Sequence, residues 1–303
     1  MKELELIYLY CYLCECYNKE LWCYCQRFTP NTSPINQKIT DEELLTIYFY
    51  CRRYENKHTK AQIYDYANRY LRSWFPQLPA YANFNTRLNF LENAFLSLIP
   101  IVLQDIENQG IIKGIVQNVT LIDSLPIVLC KGKRQGKVAK EISDKTYCAS
   151  KNMYYCGVKL HIVANQVEKK LPFPNFISMT KASENDLIAI RSILPQLANH
   201  AIFADKAYCD KPLNEQLLKV QNTYIYTPVK LVKGQSLQTR QFNKAADDLF
   251  SKAVSSVRQP IEGFFNWMIE KSNIQNAGKV RATKGLFVHV WGSLTTTLMF
   301  YLF

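Results

Sequence analysis

Two short apolar segments each contain a single aspartate, and a later helical segment carries a glutamate. Asp123 lies in the run 118–129, and Asp205 lies in the run 201–208. Continuous apolar runs of this length are typical of strands covered on both faces, where an unpaired carboxylate is costly. A hard divalent cation shared with Glu262 would offset these charges. In a basic chain, such a cation indicates phosphodiester chemistry.

Three carboxylates can hold two divalent ions about 3.5–4 Å apart, one activating the attacking oxygen and the other stabilising the leaving oxygen. Mg²⁺ or Mn²⁺ suits such all-oxygen ligation. The long intervals between Asp123, Asp205 and Glu262 leave room for intervening elements. By spacing alone, the three could equally be unrelated members of the 25 acidic residues.

The segment around Glu262 predicts an amphipathic helix. Apolar residues recur at helical spacing on one face, namely Ile261, Phe264, Phe265 and Met268. Arg258 precedes Glu262 by four residues, so a simple salt bridge is the alternative to a metal-binding role for Glu262. Pro260 is expected to kink or begin the helix just before the glutamate.

The composition indicates a polyanionic partner, with nucleic acid as the leading candidate. Lys and Arg number 37 against 25 Asp and Glu, which gives a net charge of +12 and a pI of about 9.1. A basic loop that follows the Asp123 segment could bind phosphates through Lys131, Lys133, Arg134, Lys137 and Lys140. Further candidates are Lys159 and His161, on one face of a predicted strand, with Lys206 and Arg258. For the lysines and His161, a solvated surface position is the alternative.

The cysteines and the C-terminal segment each leave two interpretations open. Ten cysteines without a secretory leader indicate a reducing cytosol. Zinc binding and simple burial both explain the early cluster Cys11, Cys14, Cys16, Cys23 and Cys25. Residues 286–303 lack Asp, Glu, Lys and Arg, so a membrane span is the alternative to a buried last helix. We expect the buried helix, because polar residues such as His289 interrupt the apolar sequence.

The chain is predicted to contain a helical domain over 1–110 and an α/β domain over 111–303. Thr40-x-x-Glu43 and Thr59-x-x-Gln62 have capping-box spacing before helical apolar patterns, and 83–109 predicts one long helix. From residue 117 onward, strand and helix patterns alternate, which predicts a mixed sheet flanked by helices.

At these residues the chain resembles the DDE-class transposases of bacterial insertion sequences, specifically the insertion sequence 982 family. The segments that carry the resemblance are 121–126, 155–161, 204–208 and 258–265, together with 75–79 and 84–87. The resemblance implies a ribonuclease-H-like catalytic domain. It also implies that Asp123, Asp205 and Glu262 bind the metal ions, two Mg²⁺ or Mn²⁺ per active site.

The chain departs from the family pattern at three positions. Related transposases often carry a tyrosine before the arginine and a lysine after the glutamate, where this chain has Ser255 and Ile269. Lys271 is the candidate substitute for that lysine and a further candidate for DNA binding. Ala207 stands where glycine is usual. An inactive copy is therefore an alternative, although all three acids are present.

The resemblance implies a DNA transposase that acts in the bacterial cytoplasm. We expect it to bind terminal inverted repeats through the helical domain, to cut the element ends and to join the 3′-hydroxyl ends to target DNA. Its expected partners are double-stranded DNA and a second copy of the chain, without a membrane or a small-molecule substrate. The alternatives are a metal-dependent nuclease without strand transfer and a non-catalytic DNA-binding protein. Tyrosine recombination is weaker, because no Arg/His cluster surrounds any of the 19 tyrosines.

Overall fold

Helices form the N-terminal part of the chain, as its capping patterns predict. The computed structural model describes residues 3–25, 39–132, 137–148, 151–230, 234 and 236–303, without the side chains of residues 239 and 240. The helices of this part are α1 (Glu3–Lys19), α2 (Asp41–Tyr54), α3 (Lys60–Tyr70), α4 (Tyr81–Phe90) and α5 (Glu92–Asn108).

Both predicted capping boxes are present. The side chains of Thr40 and Glu43 each accept from the other's backbone N–H before α2, and Thr59 and Gln62 do the same before α3. The single helix predicted over 83–109 is wrong, since α4 and α5 meet at Leu91. The backbone of Leu91 leaves the helical range (φ −85°, ψ 13°), while its buried side chain anchors the corner.

The last helix, α9 (Thr283–Leu298), packs against α5, α2 and α4. By its contacts the chain divides into one unit of Met1–Ile111 with Met268–Phe303 and a second unit of Ile112–Trp267. The functional assignment of 1–110 and 111–303 stays a prediction. Hydroxyl groups in the buried α9 bond to its own carbonyl oxygens, as Thr296 does to Gly292 at 2.6 Å. In the part of the chain that the structure describes, no helix has the length and apolar character needed to cross a membrane.

The second unit is built on a mixed sheet. Its strands are β1 (Ile115–Lys131), β2 (Asp144–Cys148), β3 (Met153–Val167), β4 (Phe173–Lys181), β5 (Ala201–Phe203) and β6 (Tyr224–Tyr226). They lie in the order β2-β3-β1-β5-β6, and β4 pairs with β3 beyond the end of β2. The central strand β1 is antiparallel to β3 and parallel to β5.

After the antiparallel strands come α6 (Asp186–Ile190), α7 (Lys211–Gln221) and α8 (Leu237–Ser272). Ile122, Ile202 and Ala204 share a core with apolar residues of α6 and α7. α8 runs through Pro260 and does not begin there. Buried residues on both sides of the proline, Val254 and Ile261, provide packing that outweighs the lost hydrogen bond. The predicted fold class, a ribonuclease-H-like α/β sheet flanked by helices after an all-α region, is confirmed.

Candidate active site

Asp123 lies on β1, and Asp205 follows the neighbouring strand β5 by two residues. Leu121 on β1 pairs in parallel with Phe203 on β5, and two residues further along, the two chain segments reach Asp123 and Asp205. Successive residues of a strand project to opposite faces of the sheet, so Asp123 projects away from the face that carries Ile122 and its core. The register of β1 and β5 therefore brings the two aspartates close together, just beyond the end of β5.

Asp205 starts the short 3₁₀ helix Lys206–Tyr208. Its Oδ1 accepts a hydrogen bond from the backbone N–H of Ala207 at 2.5 Å, which holds the carboxylate at the end of β5. Ala207, which stands where related transposases usually have glycine, is exposed and supplies this N–H.

Arg258 joins Asp123 to Glu262. Its Nη1 donates to Asp123 Oδ2 at 2.7 Å, and its Nη2 donates to Glu262 Oε1. The four-residue spacing places Arg258 and Glu262 on one face of α8, as predicted. Residues on an adjacent face are buried and hold the helix in place, namely Val254, Ile261, Phe264 and Phe265. The helical salt bridge considered as an alternative is therefore present, but the same arginine also binds a distant strand.

The three acids share one electrostatic environment. Burial raises the pKa of Asp123 to about 7. Arg258 and the N–H of Ser124 act to lower this pKa, while the negative charges of Asp205 and Glu262 raise it. The side chain of Asp123 is only 16% exposed, whereas that of Glu262 is 51% exposed. Arg258 bonds to two of these three acids, and a group of carboxyl side chains of this kind attracts cations.

The donor chemistry of this cluster fits a hard divalent cation, because carboxylate oxygens are the ligands that such ions prefer. In the arrangement seen here, Arg258 supplies the positive charge. Within the described ranges, no group of three His, Cys, Asp or Glu side chains is arranged to hold a metal ion, and this includes the early cysteines. Metal binding at the cluster would therefore require Arg258 to release Asp123 and Glu262.

A cavity of about 420 Å³ adjoins the cluster and contains a lysine that sequence reasoning missed. Its lining residues are Asp205, Lys206, Pro228, Ser251, Lys252, Ser255 and Arg258. Lys252 was not a candidate, yet Lys252, Ser255 and Arg258 follow one another at three-residue steps, which is the spacing of a helix face. Periodicity upstream of Arg258 was the signal that could have identified it. Lys206, which was predicted, lines the same cavity.

Lys159 and His161 are bonded to neighbouring parts of the sheet unit. Lys159 Nζ donates to Asp186 Oδ1 at 2.8 Å and to the backbone oxygen of Glu184 at 2.7 Å. His161 is fully buried, with its Nε2 2.7 Å from Thr180 Oγ1. Burial lowers the pKa of His161 to about 4, so the ring is neutral at pH 7. Lys159 is already bonded to an aspartate and His161 is buried and neutral, so neither side chain is placed to contact a phosphate.

The remaining basic candidates are dispersed. Lys131 and Lys137 are exposed, while Lys133 and Arg134 lie outside the described residues. Lys271 belongs to the helical unit, where its Nζ pairs with Glu270 Oε1 at 3.0 Å. Of the predicted site residues, Asp205, Lys206 and Arg258 line the same cavity.

Comparison with known proteins identifies the family. A family model described as a transposase DDE domain matches residues 113–279, which is more than half of the chain and includes Asp123, Asp205 and Glu262. No curated protein and no solved structure gives a significant match. The strand, helix and acid arrangement described above lies within the matched region, and the chain belongs to the transposases that carry a DDE domain.

Proposed function

We propose that this protein is the transposase of an insertion sequence of the 982 family. It would bind the terminal inverted repeats of its element, cut the DNA at the element ends and join the freed 3′-hydroxyl groups to target DNA. The observation that carries the proposal is the meeting of Asp123 with Arg258 and Glu262, within electrostatic reach of Asp205. The match to the DDE domain and the net charge of +12 support a DNA substrate.

In this proposal, Asp123, Asp205 and Glu262 hold two Mg²⁺ or Mn²⁺ ions. When bound, such a pair of ions stabilises negative charge on the attacking and leaving oxygens of a phosphodiester. Arg258 releases the carboxylates and binds a phosphate, since a guanidinium pairs well with phosphate oxygens. Lys206 and Lys252 hold the DNA strand beside Asp205.

The other parts of the chain contribute binding. Residues 1–110 would recognise the element ends, and Lys131 and Lys137 would contact the DNA backbone. Lys133 and Arg134 are included from the sequence alone. Two element ends must be brought together, so the proposal includes a homodimer on bacterial DNA.

The test uses purified full-length protein, a duplex that carries an element end, and Mg²⁺. The wild type should nick at the element boundary, and labelled ends should become joined to a second DNA. Asp205→Asn should bind the same duplex but lose roughly a thousandfold or more in cutting, because loss of a metal ligand removes several kcal/mol of transition-state stabilisation.

Asp210→Asn is the matched control. Asp210 caps α7 through Leu213 N as Asp205 caps its 3₁₀ helix, and asparagine preserves a cap at both positions. The control should cut normally. Cutting without joining would identify a nuclease, and binding without cutting in Mg²⁺ or Mn²⁺ would identify a non-catalytic DNA-binding protein. Normal cutting by Asp205→Asn would refute the assigned site.

A further inference from the structure

A second cavity lies within the helical unit. Its volume is about 770 Å³, and its walls come from α2, the α2–α3 connection, the first turn of α3, α4, residues 273–282 and the first turns of α9. This volume is within the range of about 300–1,000 Å³ that is typical of small-molecule sites. The cavity shares no residue with the carboxylate cluster.

The walls carry positive charge without a matching acid. Lys60, Lys279 and Arg281 line the cavity, and the described lining residues include no Asp or Glu. Lys60 Nζ bonds to the neutral amide oxygen of Asn89, and the ion pairs found among the described residues do not include Lys60. Arg281 bonds to two backbone oxygens, at 3.0 and 2.8 Å. An anionic ligand would supply the missing counter-charge.

The electrostatics of Lys60 agree with its surroundings. Burial lowers the pKa of Lys60 to about 8, the direction expected for an ammonium group held away from water without a carboxylate partner. Deeper in the wall, the fully buried Arg52 bonds to the backbone oxygens of His58 and Ser272. Lys60, Arg52 and Arg281 thus bond to neutral oxygens, and Arg52 also lies over the ring of Tyr48.

The neutral side chains of the cavity have the chemistry that recognises a base. Five amides line it, each with both donor and acceptor atoms: Gln62, Asn85, Asn89, Asn273 and Asn276. Amides of this kind read the edges of nucleobases. Gly285 keeps the space beside Lys60 open, since a Cβ there would lie 3.8 Å from Lys60 Nζ and 3.4 Å from Asn89 Oδ1.

We propose that this cavity binds a nucleotide, with the phosphate at Lys60 and at the exposed Lys279 and Arg281, and with the base against the amides. A free nucleotide and the terminal nucleotide of a DNA strand share this chemistry. The inference goes beyond the proposed function and stands whether or not the carboxylate cluster cuts DNA.

The test is calorimetric titration of the full-length protein with three kinds of probe. These are the four deoxynucleoside 5′-monophosphates, a 5′-phosphorylated single-stranded tetranucleotide, and the same tetranucleotide with a 5′-hydroxyl. Lys60→Met should weaken binding of the phosphorylated probes by roughly 10- to 100-fold, the loss typical of a charged hydrogen bond. Lys284→Met is the control and should bind normally, because Lys284 is outside the lining and pairs with Glu92 at 3.0 Å.

Gly285→Val supplies a second variant in case Lys60→Met fails to fold, as judged by circular dichroism. Its added atoms fill the space beside Lys60 without a change of charge, and it should weaken the same probes. Tight binding of a monophosphate would identify a free nucleotide as the ligand, and binding only of the phosphorylated tetranucleotide would identify a DNA terminus. The proposal is overturned if no probe binds at millimolar concentration, if the 5′-hydroxyl probe binds equally well, or if folded Lys60→Met binds like the wild type.

Discussion

The carboxylate cluster and the Lys60 cavity balance charge in opposite ways. In the cluster, Arg258 bonds to two of three acids, so part of the negative charge is balanced within the chain. In the cavity, Lys60 bonds to a neutral amide, and the described lining offers no acid. A ligand of the cluster must therefore displace an arginine, whereas a ligand of the cavity would meet an unbalanced positive charge.

The largest expected effect is on the free energy of unfolding and comes from the burial of Asp123. Below about pH 4, Asp123 is protonated in both the folded and the unfolded chain, so its ionisation does not lower the free energy of unfolding. As the pH rises to about 7, the unfolded chain ionises first, so the folded state loses stability, and above pH 7 the full loss persists. Asp123→Asn cannot ionise. Without metal, its free energy of unfolding should exceed that of the wild type by on the order of 2 kcal/mol at pH 8.

Urea unfolding in EDTA at pH 4 to 8 measures this difference, which should shrink steadily as the pH falls. If Asp123→Asn is instead less stable than the wild type, by an amount that grows as the pH rises, the ion pair with Arg258 outweighs the burial of the carboxylate. Arg258 would then balance the charge of the cluster more fully than the pKa of Asp123 indicates.

A smaller effect is expected from removal of the competing cation. Arg258→Gln leaves the three acids without their internal counter-charge, so the affinity for Mn²⁺, measured by calorimetry, should rise about tenfold. Lys60→Met, in contrast, should leave Mn²⁺ affinity unchanged. Weaker Mn²⁺ binding by Arg258→Gln would show that the arginine positions the acids instead of competing with the metal.

The smallest effect is expected at the cavity wall. The Cβ of Gly285→Ala meets its neighbours at ordinary contact distances, and alanine favours a helix, so the free energy of unfolding should change by less than about 1 kcal/mol. Gly292→Ala in the same helix is the contrast, because its Cβ would lie 2.4 Å from the hydroxyl of Tyr48. Thermal unfolding compares the two. A large loss for Gly285→Ala would show that the space beside Lys60 is needed for packing.

Features set by neighbouring residues were predicted from the sequence. The caps at Thr40 and Thr59, and the shared helix face of Arg258 and Glu262, depend on spacings of three or four residues. The break at Leu91 was missed because apolar spacing continues across it. Lys159 was predicted to meet phosphate, but its aspartate partner comes from α6, which strand periodicity cannot reveal.

The pattern of apolar residues in the sequence was enough to place Asp123 in a covered strand and Glu262 at the border of a buried helix face. The directions in which successive side chains project follow from the backbone geometry of a strand or a helix. Folding alone brought Arg258 to Asp123 and closed a cavity around Lys60 with residues from the other end of the chain. These contacts depend on how elements that are distant in the sequence pack against each other. A pattern of neighbouring residues does not encode the angle or the distance of that packing.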